Sequence, residues 1–170
     1  RISQLNFENV EINADQIVAT GDEAEQLIKD AINYGTLCVS AEAVGCMESC
    51  YLKTVEYTKS REQFGQPISN FQVLQHKMVD MFIEAELCKS LLYKSMIDMH
   101  ENNDSKYRSV SALKSQVGLS GKKVGEDAVQ LHGGMGVSEE MSIGHYLKRF
   151  ISIDSQFGNS HFHLKKFNNS

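Results

Sequence analysis

Apolar residues recur along this chain at spacings of three, four or seven, the period of a helix that buries one face. The first pattern opens at Thr20-Gly21-Asp22-Glu23, which has the form of a capping box at a helix N-terminus. The face continues to about Ser60, with Glu48 as an interruption. Its members are Leu27, Ala31, Tyr34, Cys38, Ala41, Gly45, Leu52 and Val55. The sequence therefore predicts one long first helix that buries this face.

A second helical pattern follows Pro67, and the segment Ser69 to Gln72 is interpreted as its capping box. The apolar spacing then alternates between three and four, which is typical of the seam of an antiparallel bundle. The seam residues are Phe71, Leu74, Met78, Met81, Ala85, Cys88 and Leu92. A polar turn at residues 101–105 ends this pattern.

Two further long helices are predicted, a third from about Tyr107 to Leu131 and a fourth from about Ser142 to Ile153. The third contains Gly118, Gly121 and Gly125. Glycine lowers helix propensity, so we expect a neighbouring helix to approach closely there. A break at residues 156–159 precedes a short terminal helix. The predicted fold is therefore all-α, an up-and-down four-helix bundle.

The first residues of the chain differ from this helical pattern. Leu5 to Ile12 alternates apolar and polar positions locally, with a slip at Asn9, and predicts a β-strand. A lone strand has nothing to pair with, so its sheet is expected to lie outside this sequence. We therefore divide the chain into residues 1–20, the tail of a preceding β domain, and residues 21–170, the helical domain. The chain is expected to be a piece of a longer protein.

Composition supports long helices and argues against some partners. The 170 residues include one proline, whereas average usage of roughly 5% would give about eight. A net charge of −5 and lysines scattered along the helices argue against nucleic-acid binding. There is no apolar run of membrane-spanning length. Neither a membrane nor a nucleic acid is therefore predicted as a partner.

Cysteine and histidine spacing gives no sign of a metal site. The four cysteines form no CxxC pair, and His161 and His163 lack an evident third ligand. Cys38, Cys46, Cys50 and Cys88 all fall in helical patterns, which favours buried reduced thiols and a cytoplasmic location. No metal is predicted.

Two segments at predicted helix ends carry the candidate chemistry. Arg61 to Ile68 places a cation and an aromatic ring after the first helix, and Gln130 to Gly136 ends the third helix in a glycine cluster. Glycines there let backbone approach a flat or anionic ligand. The segments are about seventy residues apart, and together they suggest a cofactor held from two places.

These two segments resemble the acyl-CoA dehydrogenases, specifically their C-terminal helical domain. Arg61-Glu62-Gln63-Phe64-Gly65 is similar to the R-x-x-F-G segment of that family. Gln130-Leu131-His132-Gly133-Gly134-Met135-Gly136 is similar to its Q-x-x-G-G-x-G turn. The order, the spacing and the intervening helices agree as well. The resemblance covers nearly the whole chain after about Gly21.

What the resemblance implies is FAD held by two subunits, with this domain reaching over the cofactor of a neighbour. Arg61 would then pair with the pyrophosphate, and Phe64 and Ile68 would pack along the adenosine. Gln72 is a family contact position too, although its capping box is an equal alternative. For Gly133 and Gly134 a plain helix stop is the alternative. The implied cofactor contacts are Arg61, Gln63, Phe64, Ile68, Gln72, Gln130, Gly133, Gly134 and Asn159.

The sequence departs from the family at its catalytic base. Family members remove the α-proton of a thioester with a glutamate, either after the fourth helix or early in the first helix. The equivalent positions here are Phe157 and about Gly35, and neither is a carboxylate. Glu42 lies two turns beyond Gly35 and is a weaker substitute. No catalytic residue is therefore predicted in this chain.

Two explanations for the missing base stay open. The chain resembles the degenerate subunits of bacterial heteromeric acyl-CoA dehydrogenases, in which a related chain carries the glutamate. Alternatively, the base escapes this alignment, or the flavin chemistry differs. We predict the C-terminal FAD-binding and oligomerisation domain of an acyl-CoA dehydrogenase-like flavoprotein, inactive by itself. The expected partners are acyl-CoA, related subunits and an electron-transfer flavoprotein. A non-catalytic assembly module and an unrelated helical bundle are the rivals.

Overall fold

The computed structural model of the chain describes residues 3–169. It contains five helices: α1 (Gly21–Ser60), α2 (Gln72–His100), α3 (Lys106–His132), α4 (Ile143–Ser155) and α5 (Ser160–Asn168). Two short strands, β1 (Glu62–Gln63) and β2 (Gln66–Pro67), lie between α1 and α2. The prediction of an all-α bundle is confirmed, and each predicted helix is present.

The chain divides into two compact units, one ending at Ile32 and one from Asn33 to Ser170. In the first unit, the described residues before α1 contain a 3-10 turn at Ala14–Gln16. The strand predicted at Leu5 to Ile12 is wrong, because this segment is exposed and has no strand pairing among the described residues. A strand is stable only when its backbone groups pair with a neighbour. The division at residue 20 remains a prediction.

The core of the second unit is formed by side chains of α1 to α4, and α3 packs against α2, α4 and α5. The buried apolar residues include Met47, Met81, Leu113, Val124 and Phe150. Met81, Ala85, Cys88 and Leu92 of the predicted α2 seam are all buried. The period of the α2 pattern therefore identified the correct face.

The buried face predicted for α1 is wrong. Tyr34 and Leu52 are half exposed and Cys38 is exposed. The face that packs inward instead carries small polar residues, namely Thr36, Ser40, Thr54 and Thr58, beside Ala43, Met47 and Cys50. The Ser40 and Thr54 hydroxyls donate to the carbonyls of Thr36 and Cys50 at 2.7 and 2.8 Å. Because helix backbone satisfies these hydroxyls, they can be buried without a hydrophobic signature.

The start of α2 also differs from the sequence prediction. A 3-10 turn at Ile68–Asn70 precedes α2, Phe71 is the residue before its first turn, and no side chain caps it. Ser69 contributes its carbonyl, which accepts from Gln75 Nε2 at 2.9 Å. The capping box assigned to Ser69 and Gln72 is therefore wrong, and Gln72 is left exposed.

Glycines of α3 allow α4 and the α4–α5 turn to approach closely, as the sequence predicts. A Cβ at Gly121 would lie 3.1 Å from the Phe150 ring, and one at Gly125 would lie 2.9 Å from Leu147. A Cβ at Gly118 would collide with Asp154 Oδ1 and lie 2.9 Å from Ser160 Cβ. These glycines therefore lower the helix propensity of α3 but allow the neighbouring elements to pack closely against it.

We expect Gly118→Ala to lower the free energy of unfolding by about 1–3 kcal/mol, the usual cost of overpacking. The new methyl group would displace Asp154, whose Oδ1 accepts from the Ser160 N–H at 2.9 Å. Gly45→Ala is the matched control, because nothing lies within 4 Å of a Cβ there. That change should raise stability by about 0.5–1 kcal/mol through helix propensity alone. Urea unfolding measures both, and shifts of the same sign would contradict the prediction.

Candidate functional site

The two segments singled out from the sequence line one open crevice of about 400 Å³. Six of the nine predicted contact residues lie on it, namely Arg61, Gln63, Ile68, Gln130, Gly133 and Gly134. Tyr57, Leu131, His132 and Met135 complete the lining. The end of α1 and the end of α3 therefore meet in space and can contact one ligand together.

The hairpin β1–β2 presents the first side of the crevice. Glu62 pairs with Pro67 and Gln63 with Gln66 in antiparallel register. The two residues of the turn, Phe64 and Gly65, both have positive φ, at 55° and 78°, as a tight two-residue hairpin turn requires. Sequence reasoning missed this hairpin, although Gly65, followed two residues later by Pro67, was a turn signal for it.

Arg61 and Phe64 project into solvent. Arg61 is exposed and forms no ion pair with an acidic residue in the part of the chain that the structure describes. Phe64 is 92% exposed, and its ring lies nearly perpendicular to that of Phe71, with centroids 6.1 Å apart. A guanidinium without a counter-charge and an uncovered phenyl ring are both free to bind a ligand.

The glycine turn at the end of α3 forms the second side. Gly133 has φ 58° and ends the helix, and residues 133–137 form a 3-10 turn. No atom lies within 4 Å of a Cβ built on Gly133 or Gly134. Gly136 differs, since a Cβ there would lie 2.6 Å from the Val129 carbonyl oxygen. Gly136 therefore serves packing, whereas Gly133 and Gly134 leave open backbone in the crevice.

A stacked pair of rings, Tyr57 and His132, connects the two sides. Their centroids are 4.1 Å apart and their planes 21° from parallel. His132 is buried, and its Nδ1–H donates to the Ala128 carbonyl at 2.8 Å. Burial lowers the pKa of His132, which favours the neutral ring. Sequence reasoning did not single out this pair, although Tyr57 lies one helical turn before Arg61.

Three predicted contact residues, Phe64, Gln72 and Asn159, do not line the crevice. Phe64 is at the tip of the adjacent hairpin and Gln72 is the first residue of α2. Asn159 caps α5, because its Oδ1 accepts from the Phe162 N–H at 2.9 Å. Helix capping alone explains why an asparagine stands at this position, so no ligand contact is needed to account for it.

The two positions at which the family base is expected lie side by side. A Cβ built on Gly35 would be 2.7 Å from Cζ of Phe157. Positions far apart in sequence thus converge on one corner of the second unit, which holds a phenyl ring and no carboxylate at either position. Glu42 is engaged elsewhere, since Arg149 binds its two oxygens at 2.6 and 2.7 Å. This pairing with Arg149 lowers the pKa of Glu42.

A buried lysine holds the turn that carries Phe157. Lys114 is fully buried and its Nζ donates to the carbonyls of Asp154 and Gly158 at 3.0 and 2.9 Å. Burial lowers the pKa of Lys114. His163 is also buried, and its Nε2–H donates to the Phe157 carbonyl at 3.0 Å. These donors were missed because nothing in the sequence separates Lys114 from the surface lysines around it.

Metal-ligating and thiol groups form no further candidate site among residues 3–169. The described residues include no group of three or more His, Cys, Asp or Glu side chains placed to hold a metal ion. The cysteines are free, and burial raises the pKa of Cys50 to about 12 and of Cys88 to about 11. Among the described helices, none has the length and apolar character needed to cross a membrane.

Fold and site together define a helical bundle domain. Its crevice lies where the ends of two helices meet, and it is open to solvent and accessible to a ligand. Residues 26–165 match the family model for the acyl-CoA dehydrogenase C-terminal domain. The chain therefore belongs to the acyl-CoA dehydrogenase family, of which it contains the C-terminal domain.

Individual relatives agree with this assignment. A short-chain specific acyl-CoA dehydrogenase from Megasphaera elsdenii is 29% identical over 147 residues, which is 85% of this chain and 38% of the relative. A structure of PigA with FAD and proline superposes with a TM-score of 0.88 at 23% identity, covering 96% of this chain and 42% of PigA. The Tcur3481-Tcur3483 steroid acyl-CoA dehydrogenase (G363A variant) gives 0.77 at 25% identity, covering 81% and 38%. The chain thus spans about two fifths of the proteins it matches.

Proposed function

We propose that this domain closes over one part of an FAD molecule that a neighbouring protomer chiefly houses, within an assembly that dehydrogenates acyl-CoA thioesters. The observation that carries the proposal is the shared crevice of Arg61 and the Gly133–Gly134 turn. One side offers a cation and the other offers bare backbone, so a ligand with an anionic part and a flat part would suit both sides. The pyrophosphate and adenosine of FAD have this form.

The residues present fit such a cofactor. Arg61 supplies a planar fork of donors that suits a pyrophosphate. The α3 end is rich in carbonyls and by itself disfavours an anion, so the positive charge has to come from Arg61. Phe64, at 92% exposure, supplies a flat apolar surface for the adenosine, together with Ile68. When bound, FAD would supply the hydride acceptor of the reaction.

We further propose that this chain is a subunit without its own catalytic base. Proton abstraction from a thioester α-carbon needs an anionic carboxylate within reach of that carbon. Gly35 and Phe157 occupy both expected places, and Glu42 is paired with Arg149. A related chain would then carry the glutamate. The structural neighbour Tcur3481-Tcur3483 is named as two components, which supports such an arrangement.

Arg61→Ala in the full-length protein, purified with its natural partner subunits, tests the cofactor proposal. Loss of a charge-assisted hydrogen bond typically costs about 1.5–3 kcal/mol, so we expect FAD to bind about 10- to 150-fold more weakly. The measurement is flavin fluorescence during titration of the apoprotein. Arg61→Lys should recover part of the affinity.

Lys59→Ala is the matched control. Lys59 is in the last turn of α1, two residues before Arg61, pairs with Glu56 at 2.9 Å and does not line the crevice. Its removal deletes the same charge from nearly the same place and should leave FAD binding within about twofold, as for other surface charges. Equal FAD affinity in the Arg61 variant and the wild type would favour an assembly module in which the flavin contacts have decayed.

A further inference from the structure

The short helix α5 is anchored to the bundle through a buried histidine. The buried side chains of α5 are Ser160 and His163, whereas Phe162 and Leu164 remain about half exposed. His163 is the larger of the two buried side chains, with only 2% of the residue exposed. The helix packs mainly against α3. Its chief anchor is therefore a titratable ring, at a position where an apolar side chain is the more usual choice.

The hydrogen bond of His163 determines which ring nitrogen carries the hydrogen. Nε2 lies 3.0 Å from the Phe157 carbonyl oxygen, which can only accept, so Nε2 is the protonated nitrogen. Nδ1 is buried and forms no hydrogen bond within the part of the chain that the structure describes. The neutral ring therefore keeps a bare lone pair on Nδ1 inside the protein, and a second proton can bind only there.

The surroundings of His163 oppose a second proton. Burial lowers the pKa of His163, and the bond to the Phe157 carbonyl counteracts this in part. Three charged groups face the ring, namely Lys114 from α3, Asp154 from α4 and Lys166 from α5 itself. The two lysines lower the pKa further, and the aspartate raises it. An imidazolium in this place would thus have a buried N–H donor without an acceptor and two cationic neighbours.

Release of α5 from the bundle would remove these penalties. A histidine ring in water binds its second proton with the ordinary pKa of about 6.5. As pH falls below that value, the released form therefore binds more protons than the docked form, and acid shifts the equilibrium towards release. Above about pH 6.5 neither form carries the second proton, so the docked form keeps its full stability there.

We propose that His163 is an acid-sensitive latch, which keeps α5 docked on α3 while its ring is neutral and releases the helix when the ring binds a second proton. Release would leave the rest of the bundle folded, because the hydrophobic core of the described residues is built from α1 to α4. The latch goes beyond the proposed function, since neither FAD nor a thioester takes part in it.

Hydrogen exchange of backbone amides tests the latch in the full-length protein with its partner subunits. Mass spectrometry follows peptides of α5 and, as an internal reference, of α2, and the rates are corrected for the pH dependence of intrinsic exchange. Protection of α5 should be constant down to about pH 6.5 and then fall by about tenfold per pH unit, the slope for uptake of one proton. Protection of α2 should stay constant. An unchanged α5 at about pH 5, or a parallel loss in α2, overturns the latch.

His163→Gln separates the titration of the ring from its hydrogen bond. The glutamine Nε2 can still donate to the Phe157 carbonyl but binds no proton in this pH range. Protection of α5 in this variant should therefore no longer depend on pH below about 6.5. His161→Gln is the matched control, because it makes the same substitution on the same helix at an exposed position, and it should keep the wild-type slope. A slope that persists in His163→Gln, or disappears in His161→Gln, overturns the assignment to residue 163.

A second measurement on the wild-type protein does not depend on the folding of any variant. Exchange of the histidine C2 hydrogen, followed by mass spectrometry, gives the pKa of the His163 ring directly. The pKa in the folded protein should lie below the pKa of the same ring after unfolding in urea, because burial favours the neutral form. Equal values in the two states would overturn the latch, since the docked and released forms would then bind the same number of protons.

Discussion

Replacing Lys114 by methionine should lower the free energy of unfolding by about 2–4 kcal/mol. The ammonium group is fully buried and donates to two backbone carbonyls, those of Asp154 and Gly158. Methionine fills a similar volume without a donor, and each buried acceptor left unsatisfied costs about 1–3 kcal/mol. Relief from desolvating the charge offsets part of that loss. Urea unfolding of the two proteins measures the difference.

Lys122→Met is the control for this prediction, because it makes the same substitution on the same helix at an exposed position. Lys122 faces Glu126 at 3.8 Å with 64% of its side chain exposed, and such pairs contribute little. Its substitution should change stability by no more than about 0.5 kcal/mol. Similar losses in the two variants would mean that the carbonyls of the α4–α5 turn do not depend on Lys114.

Helices and their order could be predicted from the sequence because each carries its own periodic signal. The third helix was expected from about Tyr107 to Leu131 and runs from Lys106 to His132. Its interior glycines also indicated the close approach of α4 correctly. The sequence signal of a helix is local, because the backbone hydrogen bonds of a helix form within one continuous segment.

Features that depend on a pairing strand or on buried polar side chains were predicted poorly from the sequence. The strand at Leu5 to Ile12 required a neighbouring strand that the described chain does not contain. The inward face of α1 was missed because Thr36, Ser40, Thr54 and Thr58 look like surface residues in a hydrophobic pattern. The hydroxyls of Ser40, Thr54 and Thr58 donate to carbonyls of the same helix, which becomes visible only in three dimensions.

The candidate site shows the same division. The Arg61 segment and the glycine turn were found through their motifs, and the structure brings them to one crevice. The supporting residues carry no motif, neither Tyr57 with His132 at the crevice nor Lys114 with His163 at the turn that carries Phe157. Their roles follow from burial and from which carbonyl each donor reaches.

Phe157→Glu should confer flavin reduction by acyl-CoA on an assembly that otherwise shows none from this subunit. The substitution removes the ring and places a carboxylate at the corner beside Gly35. The carboxylate would take the α-proton of a bound thioester, and FAD, when bound, would supply the acceptor for the β-hydride. A positioned general base typically contributes about 100- to 10,000-fold, so we expect a gain of at least about 100-fold. Stopped-flow loss of flavin absorbance measures it.

Phe157→Gln is the matched control, because it removes the ring and supplies a polar group of the same size without a base. A variant that binds the thioester yet leaves the flavin oxidised shows that opening the corner is not sufficient. Equal rates in the two variants would contradict the assignment of residue 157 to the base position. The glutamate should also reveal a pH dependence absent from the glutamine variant, because only an ionised carboxylate can accept the proton. That pH profile distinguishes a restored base from a general loosening of the turn, which would affect both variants alike.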